Sequence, residues 1–149
     1  MIALAASAGG VEALITVMNG LPSDLQAAVL IVLHVAPIGP SVLPSILGRH
    51  SRLPTSHPAD GEPLLAGHAY VAPPDHHLVV EDGRMRLNRG PRENGNRPAA
   101  DPLFRSVAAV YGRSAAGVVL SGALDDGTSG LAAVKRAGGM TIAQDPEEA

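Results

Sequence analysis

Residues 27–33 read AAVLIVL, seven apolar residues in a row, three of them β-branched. A strand without a polar face must be covered on both sides, which places it inside a parallel sheet flanked by helices. The residues upstream supply its neighbours. Met1 to Ala6 (MIALAA) is a second apolar strand, and Val11, Leu14, Ile15 and Met18 recur at i, i+3, i+4 and i+7, the apolar stripe of a helix. Asn19-Gly20 and then Pro22 end that helix. Strand, helix and strand within about thirty residues make a βαβ unit.

The same alternation resumes further on. A helix is expected through Val42, Ile46 and Leu47. Asp101-Pro102 reads as a helix start, Asp101 as N-cap with proline in the first turn, followed by Phe104, Val107 and Tyr111 on the buried face. Gly117 to Leu120 is a buried strand, SGALDDGTSG is the turn after it, and Leu131 and Val134 lie on the next helix. Lys135, Arg136 and Gly138-Gly139 close that helix, and Met140 to Ala143 begin one more strand. Residues 53–98 differ, being rich in Pro, Gly and His. There, HLVVEDGRMRLN predicts a hairpin with His77 to Glu81 paired to Arg84 to Asn88 across Asp82-Gly83, and Tyr70-Val71-Ala72 is a further short strand. This middle is read as a peripheral antiparallel excursion. The expected fold is α/β, a doubly wound, mostly parallel, three-layer Rossmann-like sheet with a peripheral β-hairpin, forming a single domain over 1–149.

Composition narrows the function classes. The chain has no cysteine, so disulfides, thiolate metal sites and cysteine nucleophiles are excluded. Its net charge is −3, with one lysine and no aromatic residues among its arginines, which argues against nucleic-acid binding. Its apolar runs are too short to span a bilayer, and no basic segment precedes the first one as in a secretory signal. A cytoplasmic location is expected.

In doubly wound sheets, ligands bind beyond the carboxyl ends of the strands. Ser7 follows the first strand, His34 the second, and Asp125-Asp126 the strand ending at Leu120. A nucleophile, a base and an orienting carboxylate can converge there although distant in sequence. Each residue also has a plainer reading: Ser7 as a helix N-cap, His34 as a polar strand end, and one of the two aspartates as the cap of the next helix. The residues alone do not choose between Asp125 and Asp126. A phosphate-cradling turn at Ser7-Ala8-Gly9-Gly10 is a rival, but the turn matches neither GxGxxG nor a P-loop. His68 and Asp75-His76-His77 raise a metal site, against which adjacent histidines on a strand point to opposite faces.

Six segments in order carry a resemblance: ASAGG at 6–10, VLHVAP at 32–37, DGEPLLAGHAYVAPPDHHL at 60–78, NRPAADPLF at 96–104, LSGALDDGTSGL at 120–131 and GGMTIAQDP at 138–146. Over essentially all of its length the chain resembles the catalytic domain of chemotaxis-type protein-glutamate methylesterases, the CheB family. The resemblance implies a cytoplasmic serine hydrolase that needs no cofactor or metal. It would release methanol from glutamate methyl esters on the cytoplasmic helices of methyl-accepting chemoreceptors and also deamidate glutamines. The family's nucleophile corresponds to Ser7, its histidine to His34 and its orienting acid to Asp126. Its oxyanion-hole amides correspond to those of Ala8 and Ala123.

The sequence departs from the family's pattern in three places. Ala8 stands where threonine is usual, Gly122-Ala123-Leu124 where GMG is usual, and Asn94-Gly95-Asn96-Arg97-Pro98 where NRHRP is usual. These motivate an alternative, a catalytically impaired interaction module on the same fold. Family members often carry an N-terminal receiver domain and continue beyond AQDP. The expectation is therefore a catalytic domain without the receiver and short at its C-terminus, with a separate response regulator as a candidate partner.

Overall fold

A computed structural model describes residues 1–34, 42–120 and 126–144. Its centre is a parallel sheet of six strands: β1 (Ile2–Ala6), β2 (Val29–Leu33), β3 (Thr55–Ser56), β4 (Ala69–Val71), β7 (Ala116–Leu120) and β8 (Met140–Ala143). They lie in the order β3-β4-β2-β1-β7-β8. The helices are α1 (Val11–Gly20), α2 (Leu43–Arg49), α3 (Ala100–Tyr111) and α4 (Thr128–Arg136). Strands β5 (His77–Glu81) and β6 (Arg84–Asn88) form a separate antiparallel hairpin.

Every residue of β2 is buried, as its unbroken apolar run requires. Successive side chains alternate between two cores. Leu4, Val29 and Ile31 pack with Leu14 and Met18 of α1 and Leu47 of α2. On the opposite face, Leu30 and Val32 join Leu103, Phe104 and Val107 of α3, Leu78 and Met85 of the hairpin, and Val134 of α4. Burying each such side chain contributes roughly 1.5–3 kcal/mol, so helices on both faces are a requirement of the sequence. The hairpin turns at Asp82-Gly83 as expected, with φ of 51° and 73°, the positive pair that a two-residue type I′ turn demands.

Two expectations need correction. The middle of the chain is not wholly peripheral: β3 and β4 are parallel strands of the main sheet, β4 pairing with β2 through Ala69↔Val29 to Val71↔Ile31. At two and three residues they are too short to show a period in sequence. Asp101 is not the N-cap of α3, which begins one residue earlier with Ala99 as its cap. The Asp101 side chain instead reaches a different helix. Helices α3 and α4 can approach because residue 130 is glycine, since a Cβ there would lie 2.5 Å from Cβ of Phe104.

Candidate active site

The sheet register fixes two of the candidate residues. Ala6 is paired with Leu33 on one side and with Leu120 on the other. Ser7 and His34 are therefore the next residues past the ends of adjacent parallel strands, which run about 4.8 Å apart. The backbone N–H of His34 still donates to the carbonyl of Ala6 at 3.1 Å, so the ladder carries the histidine up to the serine's strand. Ser7 occupies the N-cap position of a one-turn 3-10 helix, Ala8–Gly10, with φ −79° and ψ 172°, and makes no side-chain capping bond. The helix-cap reading of Ser7 therefore lacks its defining hydrogen bond.

His34 meets a carboxylate. Its Nε2 lies 2.5 Å from Oδ2 of Asp126, whose side chain is fully buried while the imidazole keeps 19% exposure. Three more donors converge on that carboxylate: the amide of Ala100 on Oδ2 at 2.6 Å, and the amide of Asp101 and Nδ2 of Asn94 on Oδ1 at 3.1 and 3.0 Å. Burial by itself would push the Asp126 carboxyl up. The bonds from His34, Ala100, Asn94 and Asp101 outweigh it and hold the group below the usual carboxylate range. An ionised carboxylate only accepts, so His34 donates to it from Nε2, and the neutral form of the ring then has its lone pair on Nδ1. Asp126 is thus the acid that the fold brings to His34. Asp125 lies outside the described residues, as do Ala123 and Leu124.

Two further residues belong to this network and were not expected in it. Asp101 is as buried as Asp126, at 4% against 5% exposure. Its Oδ1 accepts from the amides of Gly127 and Gly130 at 3.0 and 2.7 Å, at the start of α4. Asp126, just before α4, accepts from the first amides of α3. Each acid thus satisfies the N-terminus of the other's helix. Between them stands Asn94, whose Nδ2 donates to Asp101 Oδ2 at 2.9 Å as well as to Asp126. The signal for Asn94 was present in sequence: Asn-Gly is the strongest two-residue turn dipeptide. No alternating apolar runs flank it, so it did not read as a hairpin.

The histidines considered for a metal go elsewhere. His77 Nε2 bonds the carbonyl of Pro91 and His76 Nδ1 that of Pro74, each at 2.8 Å. Among the described residues, no three metal-ligating side chains converge. A groove of about 490 Å³ between the hairpin and α3 includes His77, Glu93 and Arg105 but none of Ser7, His34 and Asp126.

Comparison with known proteins places this geometry in a family. The family model described as CheB methylesterase matches residues 2–149. The chain belongs to the CheB methylesterase family. It is 41% identical over 145 residues to protein-glutamate methylesterase/protein-glutamine glutaminase 2 of Anaeromyxobacter dehalogenans, covering 97% of this chain and 42% of that protein. A protein of the same name from Pseudomonas aeruginosa is 44% identical over 149 residues, with the same coverage on both sides. The chain thus spans about two fifths of the length of these relatives. The crystal structure of the Thermotoga maritima CheB methylesterase catalytic domain superposes with a TM-score of 0.92 at 32% identity, covering 98% of this chain and 79% of that one. The parallel α/β fold is therefore the family's. Among the described residues, no helix is long and apolar enough to cross a membrane.

Proposed function

We propose that this chain is a serine hydrolase acting on protein glutamate methyl esters, with Ser7 as nucleophile, His34 as general base and acid, and Asp126 as the residue that orients His34. The observation that carries the reading is the His34–Asp126 pair at the strand end beside Ser7, in a member of the CheB methylesterase family. Nδ1 of His34 takes the Ser7 proton as Oγ attacks the ester carbonyl carbon. Main-chain amides hold the resulting oxyanion, and those of Ala8 and Ala123 are the proposed donors. Collapse of the intermediate breaks the carbon–oxygen bond to the methoxy group, which leaves as methanol with the proton from His34. Water then attacks the acyl-enzyme, again giving a proton to His34, and the second collapse returns Ser7 and a free glutamate. With glutamine as substrate, ammonia leaves in the first half. No step calls for a metal or an organic cofactor.

The proposed substrates are the cytoplasmic helices of methyl-accepting chemoreceptors, and a response regulator is the proposed regulatory partner. The names of the relatives support the chemistry, a glutamyl ester and a glutamine. A cytoplasmic location belongs to the same proposal.

The test is methanol release from a methyl-esterified glutamyl peptide, together with labelling of Ser7 by a fluorophosphonate. Ser7→Ala should abolish both while leaving the far-UV circular dichroism unchanged. A wild-type chain that neither labels nor releases methanol would instead be an interaction module on this fold.

A further inference from the structure

We propose that Asn94 is a positioning residue for the His34–Asp126 pair, its one amide group holding two buried carboxylates in place so that Oδ2 of Asp126 stays aimed at His34. This rests on the hydrolase reading of the same site.

The argument begins with the turn that carries it. Glu93 and Asn96 exchange both backbone hydrogen bonds, at 3.0 and 2.9 Å, across Asn94 and Gly95. Those two residues have φ of 53° and 78°. This is a two-residue turn with two positive φ values, the conformation that Asn-Gly adopts most readily. A side chain at Gly95 would be strained there, which gives the departure from NRHRP a physical reason. The turn is tied down on both flanks. Arg105 of α3 bonds both carboxylate oxygens of Glu93, and Arg97 bonds Asp75 through Nε and Nη2. Its tip therefore arrives at the base of the site with little freedom.

What the tip presents is an NH2 group. Its two hydrogens serve Asp101 Oδ2 at 2.9 Å and Asp126 Oδ1 at 3.0 Å. The nitrogen must face them, since ionised carboxylates accept and never donate. Two buried carboxylates this close repel, and a neutral donor between them relieves each without adding a charge. For Asp126 the consequence is directional. Asn94 and the Asp101 amide fix Oδ1, the Ala100 amide fixes one side of Oδ2, and the remaining direction of Oδ2 points at His34 Nε2. Of the three residues proposed for the reaction, Asn94 bonds Asp126, so it acts through that carboxylate.

Two variants and two readouts test this. In Asn94→Ala, kcat on the methyl-ester peptide should fall about ten- to a hundredfold, the usual scale for losing an outer-shell hydrogen bond, with KM nearly unchanged. In protein labelled with 15N-histidine, the low-field proton on Nε2 of His34 should move upfield or exchange into water. Asn94→Asp keeps the shape but places a third acid against Asp101 and Asp126. Among the described residues, the titratable and charged groups nearby include His34 and, on the flanks of the turn, Glu93, Arg92, Arg97, Arg105 and Asp75. Crowded in this way, the new carboxyl takes up a proton on acidification and becomes a donor again. Its kcat relative to wild type should therefore rise about tenfold between pH 8 and pH 6. A loss of folding alone would give no such pH-dependent rescue. An unchanged His34 resonance in Asn94→Ala overturns the proposal even if the wild type proves inactive on esters. So does a flat pH ratio in Asn94→Asp, which decides the matter if Asn94→Ala fails to fold. Absence of wild-type turnover counts against the hydrolase reading, and the His34 resonance still judges Asn94.

Discussion

Asp101 and Asp126 invite comparison. They are equally buried, each accepts two backbone amides at the start of a helix, and each takes one hydrogen from Asn94. They differ in one contact. Asp126 also holds His34, whereas among the described residues the partners of the Asp101 carboxylate are amide groups. Burial and the satisfying of a helix N-terminus therefore do not mark the acid proposed to orient His34. What marks it is a partner that can itself carry a proton and that keeps some exposure to solvent. The two acids should respond to mutation in opposite ways, one chiefly in rate and the other chiefly in stability.

The largest effect expected is in Asp126→Asn. The Asn94 and Asp101 donors keep the amide oxygen at the Oδ1 position, so the new NH2 faces His34 and favours the tautomer protonated on Nδ1, and the lone pair is no longer reliably presented there. A drop in kcat on the order of 10⁴ is the scale for this kind of error. Steady-state rates on the ester peptide check it, and a loss below tenfold would break the distinction between the two acids. Next comes Asp101→Ala. It strands the buried amides of Gly127 and Gly130, at about 1–3 kcal/mol each, so stability should fall by roughly 2–6 kcal/mol. Urea unfolding measures that loss, and kcat of the folded fraction should stay within about tenfold of wild type. A rate loss matching that of Asp126→Asn would mean the acids work as one catalytic unit.

The pH dependence sharpens the same contrast. Asp126 is held below the usual carboxylate range in the folded state. Its stabilising contribution is therefore complete above the unfolded value of about 3.9 and is lost as the pH falls through the lower folded value. The stability gap between wild type and Asp126→Asn, read from urea midpoints, should be constant near neutrality and shrink only below about pH 4. A gap that closes between pH 8 and pH 6 would contradict an ionised Asp126.

How far these roles could be read in sequence depended on how local their causes are. The run AAVLIVL and the stripe at Val11, Leu14, Ile15 and Met18 specify a βαβ unit by period alone, and the sheet register then carries Ser7 and His34 to adjacent strand ends. The Asp82-Gly83 turn was legible because apolar strands flank it. The Asn94-Gly95 turn has the same chemistry but is held by Glu93, Arg97 and Arg105, whose partners lie 12 to 22 residues away. No window of sequence contains them. Asp101 misled for a related reason: followed by proline it looks like a local cap, yet its bonds run 26 and 29 residues forward to α4. Strand β3 was missed because two residues show no period, and β4, legible as the short strand Tyr70-Val71-Ala72, gave no local sign that it joins the main sheet beside β2. The pairing of Asp126 with His34 spans 92 residues, and only the fold brings that acid to the histidine.

The smallest expected effect concerns the tether of the Asn94 turn. The Arg105–Glu93 pair has good geometry, at 2.8 and 3.0 Å, but its side chains keep 45% and 36% exposure. Solvent and salt screen such a pair, and holding two long side chains together has an entropic cost. Glu93→Gln should therefore lower stability by less than about 1 kcal/mol and leave kcat nearly untouched, and the small loss should shrink further in high salt. Urea unfolding at low and high ionic strength measures it. The turn is kept in place chiefly by the two carboxylates that Asn94 bridges at its tip and by the less exposed Arg97–Asp75 pair, with the Arg105–Glu93 pair as a minor aid. A loss above about 2 kcal/mol in Glu93→Gln would reverse that order. The comparison between Asp101 and Asp126 would then have to be redrawn around the surface ion pair, because both acids share the amide that it would be holding in place.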